Sequence, residues 1–254
     1  MCIKKIAGVL RAISGSPHPK NFTSAIIAAA GLSERFGGET TKQMTELCGA
    51  PVLLHTLRAY QDAECIHEII IVAKRGEIPT WEKLIVEYGL GKVAKIVPGG
   101  HTRQASVMNG LDAVHPKSKY VAIADGARCL TTVDQIEAVC RSAYKYKAAT
   151  AAHRTTDTVK IADSKGFIDT TADRNMVWLA QTPQVFKTNL YRSAAYTAFK
   201  KGYEGTDDNS LVEYIKYPVR LVECGSQNLK ITTREDLCVA EAILRDRKHT
   251  EESL

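Results

Sequence analysis

Three short stretches of this chain carry residues whose types and spacing could do chemistry. The first, Gly31 to Gln43, reads GLSERFGGETTKQ. Glycines let backbone N–H groups approach phosphate oxygens, while Arg35 offers a fork of donors and Lys42 a point charge. Such a loop could hold a polyphosphate; a charged, solvated surface loop is the plainer alternative. It is not a P-loop, because no Gly-Lys-Ser/Thr follows, and Ser33 breaks the spacing of a dinucleotide fingerprint. The second stretch is DGAR, Asp125 to Arg128. An Asp that closes a buried strand can hold Mg²⁺ against a triphosphate, or it can cap a helix. Its place on the same edge as the glycine loop favours the metal. The third stretch, GGHTR at 99–103, pairs two glycines with Arg103. The glycines permit close approach to a base or ribose, with a tight turn as the alternative. His101 has no partner at metal-ligand spacing. Lys230, within NLKIT at 228–232, stands just beyond a strand, where a solvated lysine is the plainer reading.

No nucleophile, catalytic His or Glu pair stands out. If the substrate brings its own phosphate, its ionised oxygen is already a nucleophile. The protein then has to position two anions and stabilise developing charge, a task for Lys, Arg and Mg²⁺.

Elements are needed to hold these stretches in place. Ser24 to Ala30 (SAIIAAA) predicts a buried first strand that stops at Gly31. Pro51 to Asp62 has helical spacing, with Val52, Leu53, Leu57 and Tyr60 on one side and Pro51 in the first turn. His67 to Ala73 predicts a second strand, Ile78 to Tyr88 a helix, and Ala94 to Val97 a third strand. Thr102 to Val114 predicts another helix, and Tyr120 to Ala124 a fourth strand ending at Asp125. This alternation predicts an α/β, Rossmann-like fold: a mostly parallel sheet with helices on both faces. Ligands of such sheets gather beyond the carboxyl ends of the strands, where all three loops lie. Residues 155–172 break the rhythm. DTVKIADSKGFIDTTA alternates in part around Ser164-Lys165-Gly166, predicting a projecting β-hairpin arm that serves dimerisation or covers a site. A helix from Lys187 to Lys201, a strand at Val219 to Glu223 and a helix from Arg234 to about Arg247 follow.

Bulk composition narrows the class. The 254 residues are 44% hydrophobic and 24% charged, ordinary for a folded globular chain. No apolar run approaches the roughly 20 residues of a membrane helix, so no membrane role is expected. The net charge of +6 suits an anionic ligand, yet Lys and Arg alternate with Asp and Glu, so no nucleic-acid partner is expected. Seven scattered cysteines without a C-x-x-C pair fit a reducing, cytoplasmic setting. Residues 1–22 read as an N-terminal extension, 23–248 as one domain that includes the arm at 155–174, and 249–254 as a tail.

Taken in order, AAAGLSERFG, TKQ, GAPVLLHTL, GGHTRQASVMNGL, DGAR, DTVK, DRNMVWLAQTPQVF, TDDNSLVE and NLKITTREDL resemble the 2-C-methyl-D-erythritol 4-phosphate cytidylyltransferases. The resemblance covers about Ala25 to Leu244. It implies a CTP-dependent, Mg²⁺-requiring nucleotidyltransferase (other divalent cations also serving) of isoprenoid precursor synthesis. By that resemblance Gly31, Arg35 and Lys42 bind the triphosphate, and Arg35, Lys42 and Lys230 are the catalytic cations. Ala29, Ala30, Gly100 and Ser106 read cytosine and ribose, largely through backbone groups, with Arg103 ordering their loop. Asp125 is the metal ligand. Thr158, Arg174, Thr206 and Lys230 match positions at the polyol phosphate pocket, and Arg128 of the DGAR loop is a further candidate for binding that substrate. The arm at 155–174 crosses to a second subunit, so Thr158 and Arg174 serve the partner's site in a homodimer. The sequence departs from the family at Ser33 (usually Gly), Thr41 (usually Pro), Ala124 (usually His) and Cys129 (usually Pro), and Glu34 adds a negative charge near the phosphate loop. Two alternatives accompany this reading: a ribitol 5-phosphate cytidylyltransferase, which shares these loops, and a non-catalytic nucleotide-binding homologue whose loop Ser33 and Glu34 have spoiled.

Overall fold

The computed structural model describes residues 19–31 and 41–252. Arg35, Ser33, Glu34 and residues 1–18 of the extension lie outside the described residues. The strands are β1 (Thr23–Ala28), β2 (Glu46–Leu47), β3 (Ala50–Pro51), β4 (Glu68–Ala73), β5 (Val93–Pro98), β6 (Tyr120–Asp125), β7 (Ala148–Arg154), β8 (Lys160–Ala162), β9 (Ile168–Thr171), β10 (Trp178–Lys187) and β11 (Arg220–Glu223). The helices are α1 (Val52–Asp62), α2 (Ile78–Glu87), α3 (Arg103–Ala113), α4 (Val133–Tyr146), α5 (Thr188–Lys200), α6 (Asp208–Tyr214) and α7 (Arg234–Glu252).

Seven strands form one sheet in the order β11-β7-β10-β6-β1-β4-β5. All run in one direction except β10, which lies antiparallel between β6 and β7. Every residue of β4 (EIIIVA) and β6 (YVAIAD) is buried. Such continuous apolar runs suit strands covered on both faces. Successive residues alternate between the two layers. Ile27, Ile69 and Ile71 meet Leu53, Leu57 and Tyr60 of α1, Trp81 of α2 and Ile136 and Val139 of α4. Ile26, Ile70 and Val72 meet Val107 and Leu111 of α3, Tyr191 and Ala194 of α5 and Leu211 of α6. Burying one such Ile stabilises the fold by roughly 1.5–3 kcal/mol, and trimming it to Ala costs about 2–5 kcal/mol. A third cluster, with Leu47, Val52, Leu130 and Ile231, packs against Leu237 and Leu244 of α7.

Capping fixes where helices start beside the loops. Thr102 accepts from the Ala105 N–H at the head of α3, Thr132 and Gln135 form a capping box on α4, and Asp207 and Ser210 form one on α6. Pro51 precedes α1, as the last residue of β3, instead of entering its first turn. The last helix continues to Glu252, past the expected end near Arg247. Six elements go beyond the sequence reading: β2, β3, α4, β7, β10 and α6. The arm is the antiparallel ribbon β8–β9, turning at Gly166, whose φ of +85° suits glycine.

Candidate active site

A cleft of about 650 Å³ opens beyond the carboxyl ends of β1, β5 and β6. All three loops singled out in the sequence contribute to it. Ala30, Gly31, Lys42 and Gln43 form one wall, Gly100 to Arg103 with Ser106 another, and Asp125, Ala127, Lys230 and Thr232 the floor. Local hydrogen bonds explain the position of Lys42. The Thr41 carbonyl accepts from the N–H groups of Met44 and Thr45 at 3.0 and 3.1 Å, closing a turn. The Gln43 carbonyl accepts from Leu53 N–H at 3.1 Å, which ties that turn to the start of α1.

The 99–103 loop is shaped by close approach. A Cβ on Gly99 would collide with Ala30, and one on Gly100 would lie 2.6 Å from the Ala105 side chain. Gly100 N–H donates to Ser106 Oγ at 3.0 Å, so Ser106 holds the loop from below. Ala29 points into the core and its N–H donates to the Val72 carbonyl at 2.8 Å, leaving Ala30 and Gly31 to face the cleft.

Asp125 is the electrostatic centre. Its residue is only 8% exposed. Arg103 Nε lies 3.3 Å from Oδ1, Lys230 Nζ 2.9 Å from Oδ2 and Arg128 Nε 3.7 Å from Oδ2. Burial alone would push its carboxyl up, but Lys230, Arg103 and Arg128 outweigh it and hold Asp125 well below the usual carboxylate range. Its backbone N–H donates to Thr182 Oγ1 at 3.1 Å, so β10 helps to fix the strand end. Arg103 is gripped from behind: its Nη2 lies 2.7 Å from Asp208 Oδ2, and Asp208 Oδ1 accepts from the Tyr191 hydroxyl at 2.5 Å. Burial works against the charge of Arg103, yet Asp208 and Asp125 raise its pKa further. Arg128 is largely buried and donates to the Asn228 carbonyl at 2.6 Å, which ties the DGAR loop to the Lys230 loop.

The remaining sequence-derived residues lie elsewhere in the single chain. Thr158 and Arg174 are exposed at the two ends of the arm and do not line the cleft. Thr206 is exposed on the connection between α5 and α6. Sequence reasoning missed Asp208, Tyr191 and Thr182, which set the positions of Arg103 and Asp125. The only sequence signal was the TDDNS stretch, in which Asp207 caps α6 while Asp208, 1% exposed, turns inward. Among the described residues no group of three or more His, Cys, Asp or Glu gathers as a metal cage.

Parallel strands that deliver a glycine turn, several cations and one ionised carboxylate to their carboxyl ends make this a Rossmann-like α/β protein of the nucleotide-binding class. The family model described as 2-C-methyl-D-erythritol 4-phosphate cytidylyltransferase matches residues 23–246. A protein of that name from Pelotomaculum thermopropionicum is 44% identical over 226 residues, which is 89% of this chain and 95% of that protein. The crystal structure of a 4-diphosphocytidyl-2C-methyl-D-erythritol synthase from Anaerococcus prevotii superposes with a TM-score of 0.79 at 31% identity, covering 89% and 99% of the two chains. That of the 2-C-methyl-D-erythritol 4-phosphate cytidylyltransferase from Thermus thermophilus superposes at 0.73 and 32% identity, covering 88% and 99%. The chain belongs to the 2-C-methyl-D-erythritol 4-phosphate cytidylyltransferase family.

Proposed function

We propose that the protein joins CTP to 2-C-methyl-D-erythritol 4-phosphate, a step of isoprenoid precursor synthesis. An oxygen of the polyol phosphate attacks the α-phosphorus of CTP. The bond from that phosphorus to the oxygen bridging to the β-phosphate breaks, and pyrophosphate leaves. The observation that carries this reading is the Asp125 centre, ringed by Arg103, Arg128 and Lys230 at the floor of a glycine-walled cleft in a chain of this family.

Charge stabilisation is the main contribution of the protein. Lys42, Arg35 and Lys230 stabilise negative charge on the α-phosphate and on the leaving group. Gly31 and its loop hold the triphosphate. Ala30, Gly100 and Ser106 recognise the nucleoside through a close-fitting backbone, and Arg103 orders that wall. Ala29, expected among the nucleoside contacts, instead supports Ala30 from the core because its N–H is taken by the Val72 carbonyl. Thr206 and Arg128 belong to the polyol phosphate side. The donor set suits Mg²⁺: one ionised carboxylate facing the cleft, with nucleotide phosphates completing the coordination, is a usual arrangement for this ion. Asp125 would hold the ion, which supplies further neutralisation of phosphate charge when bound. Lys230 and Arg103 orient the two carboxylate oxygens.

The arm completes the active site of a second subunit. Ile161, Phe167 and Ile168 are 50%, 71% and 64% exposed, an apolar surface that a homodimer would cover, bringing Thr158 and Arg174 to the partner's cleft. The catalytic domain spans 23–248, in a chain whose cysteines at 65, 129, 140 and 224 suit the reducing cytoplasm.

Pyrophosphate release with CTP and Mg²⁺, comparing methylerythritol 4-phosphate with ribitol 5-phosphate at matched concentrations, tests the reading. The expected outcome is clear preference for the first, as the relatives' names favour. Preference for ribitol 5-phosphate keeps the chemistry and changes the substrate. Inactivity with both would return the protein to the non-catalytic reading built on Ser33 and Glu34.

A further inference from the structure

The α5–α6 connection, residues 201–207, carries Thr206 and lies against the head of α3. Its stretch 203–206 forms neither strand nor helix. Tyr203 N–H donates to the Ala198 carbonyl of α5 at 2.9 Å, and two further backbone groups, the Tyr203 carbonyl and the Gly205 N–H, are met by one side chain. Gln104 Nε2 donates to the Tyr203 carbonyl at 3.2 Å, and Gln104 Oε1 accepts from Gly205 N–H at 3.2 Å. A primary amide has one face that donates and one that accepts, so it substitutes for a peptide group of a neighbouring strand. The adjacent residue, Arg103, reaches the same segment at Asp208, 2.7 Å away. Two successive side chains at the head of α3 therefore grip the loop on both sides of Thr206.

The loop has little room to adopt another path. A Cβ on Gly205 would collide with Ser210 Oγ and lie 2.8 Å from a Leu211 methyl group. Tyr203 is stacked on Tyr214 with ring centroids 4.3 Å apart. The backbone at 203 and 205 is held by Gln104, and Thr206 is the next residue.

We infer that Gln104 is a positioning residue for the second substrate: its amide fixes the 203–205 backbone and so sets where Thr206 meets the polyol phosphate. This rests on the assignment of Thr206 to that substrate. Gln104 does not line the cleft and touches neither the phosphate-binding lysines nor Asp125. Its loss therefore acts on one substrate selectively.

The test is steady-state kinetics of Gln104→Ala, Gln104→Met and Gln104→Glu beside the wild type. Gln104→Ala is expected to raise the KM for methylerythritol 4-phosphate about five- to twenty-fold, the scale of two lost neutral hydrogen bonds, while the KM for CTP moves less than about two-fold. Gln104→Met keeps the volume and should behave like Ala. Gln104→Glu keeps the acceptor for Gly205 N–H and should recover part of the loss. An unchanged KM for the polyol phosphate, equal rises for both substrates, or full rescue by Met would overturn the inference, and Met and Glu supply the result if Ala does not fold. An active wild type with a silent Gln104→Ala overturns the inference alone, whereas a wild type inert with both polyol phosphates overturns the functional reading and the inference with it.

Discussion

Asp125 is 8% exposed and is surrounded by cations delivered from three separate segments, whereas every residue of β8 and β9 in the arm is exposed. The cleft rim is over-determined: β6 brings Asp125, α3 brings Arg103 and the loop after β11 brings Lys230, with Asp125 held further by Thr182 and Arg103 by Asp208. The arm satisfies its own backbone through the β8–β9 ladder but leaves Phe167 and Ile168 in solvent. A two-stranded ribbon is marginal on its own, so this one needs a surface to lie on. One region is finished within a single chain and the other is not. Lesions in the cleft should therefore act on chemistry within a subunit, and lesions in the arm on a neighbour.

The largest expected effect belongs to the cleft. Lys42→Ala should lower kcat about 100- to 1,000-fold, the range for removing one group that stabilises transition-state charge, with a much smaller loss of CTP affinity. Single-turnover rates alongside equilibrium nucleotide binding separate the two. Equal losses in binding and rate would make Lys42 a ground-state phosphate anchor only.

Complementation tests the arm directly. Lys42→Ala and Arg174→Ala proteins should each be poorly active, for different reasons. In a mixed dimer, the cleft of the Arg174→Ala chain retains Lys42 and receives the intact arm of the other chain. Random exchange of subunits should restore about a quarter of the wild-type activity. Failure to recover any activity, with exchange verified by mass, would place Arg174 in its own subunit or outside the site.

The same contrast explains what could be read from the sequence. The parallel half was legible because buried strands such as SAIIAAA and YVAIA are continuous apolar runs that end at Gly31 and Asp125. The three loops could be placed on one edge from strand order alone. β10 was not legible: WLAQTPQVFK alternates poorly, contains Pro183, and its register shifts between Ala180 and Gln184. Its antiparallel insertion places Thr182 against Asp125, a long-range fact with no local signature. Asp208 was hidden for a similar reason. Next to the capping Asp207 it looks like a second helix-start carboxylate, and only the fold shows it buried between Arg103 and Tyr191. Lys230 looked like any surface lysine until the β11–α7 loop brought its Nζ to 2.9 Å from Asp125.

The smallest effect sharpens the comparison by asking what the cleft contributes to folding. Asp125→Asn removes the anion that the three cations share. Arg103 and Lys230 have side chains 32% and 34% exposed, so solvent screens much of their repulsion and the expected loss is modest, roughly 1–3 kcal/mol in urea unfolding. Its pH dependence has a definite sign. The folded carboxyl has a depressed pKa, while an unfolded Asp titrates near about 3.9. The stabilisation is therefore complete above that unfolded value and is lost as pH falls through the folded one. The gap between wild type and Asp125→Asn should stay level from about pH 8 to pH 5 and shrink below about pH 4. A gap that closes between about pH 8 and pH 6 would assign the effect to another group. An arm variant such as Phe167→Ser should show no such acid dependence, because it exchanges one neutral side chain for another at a position that is 71% exposed.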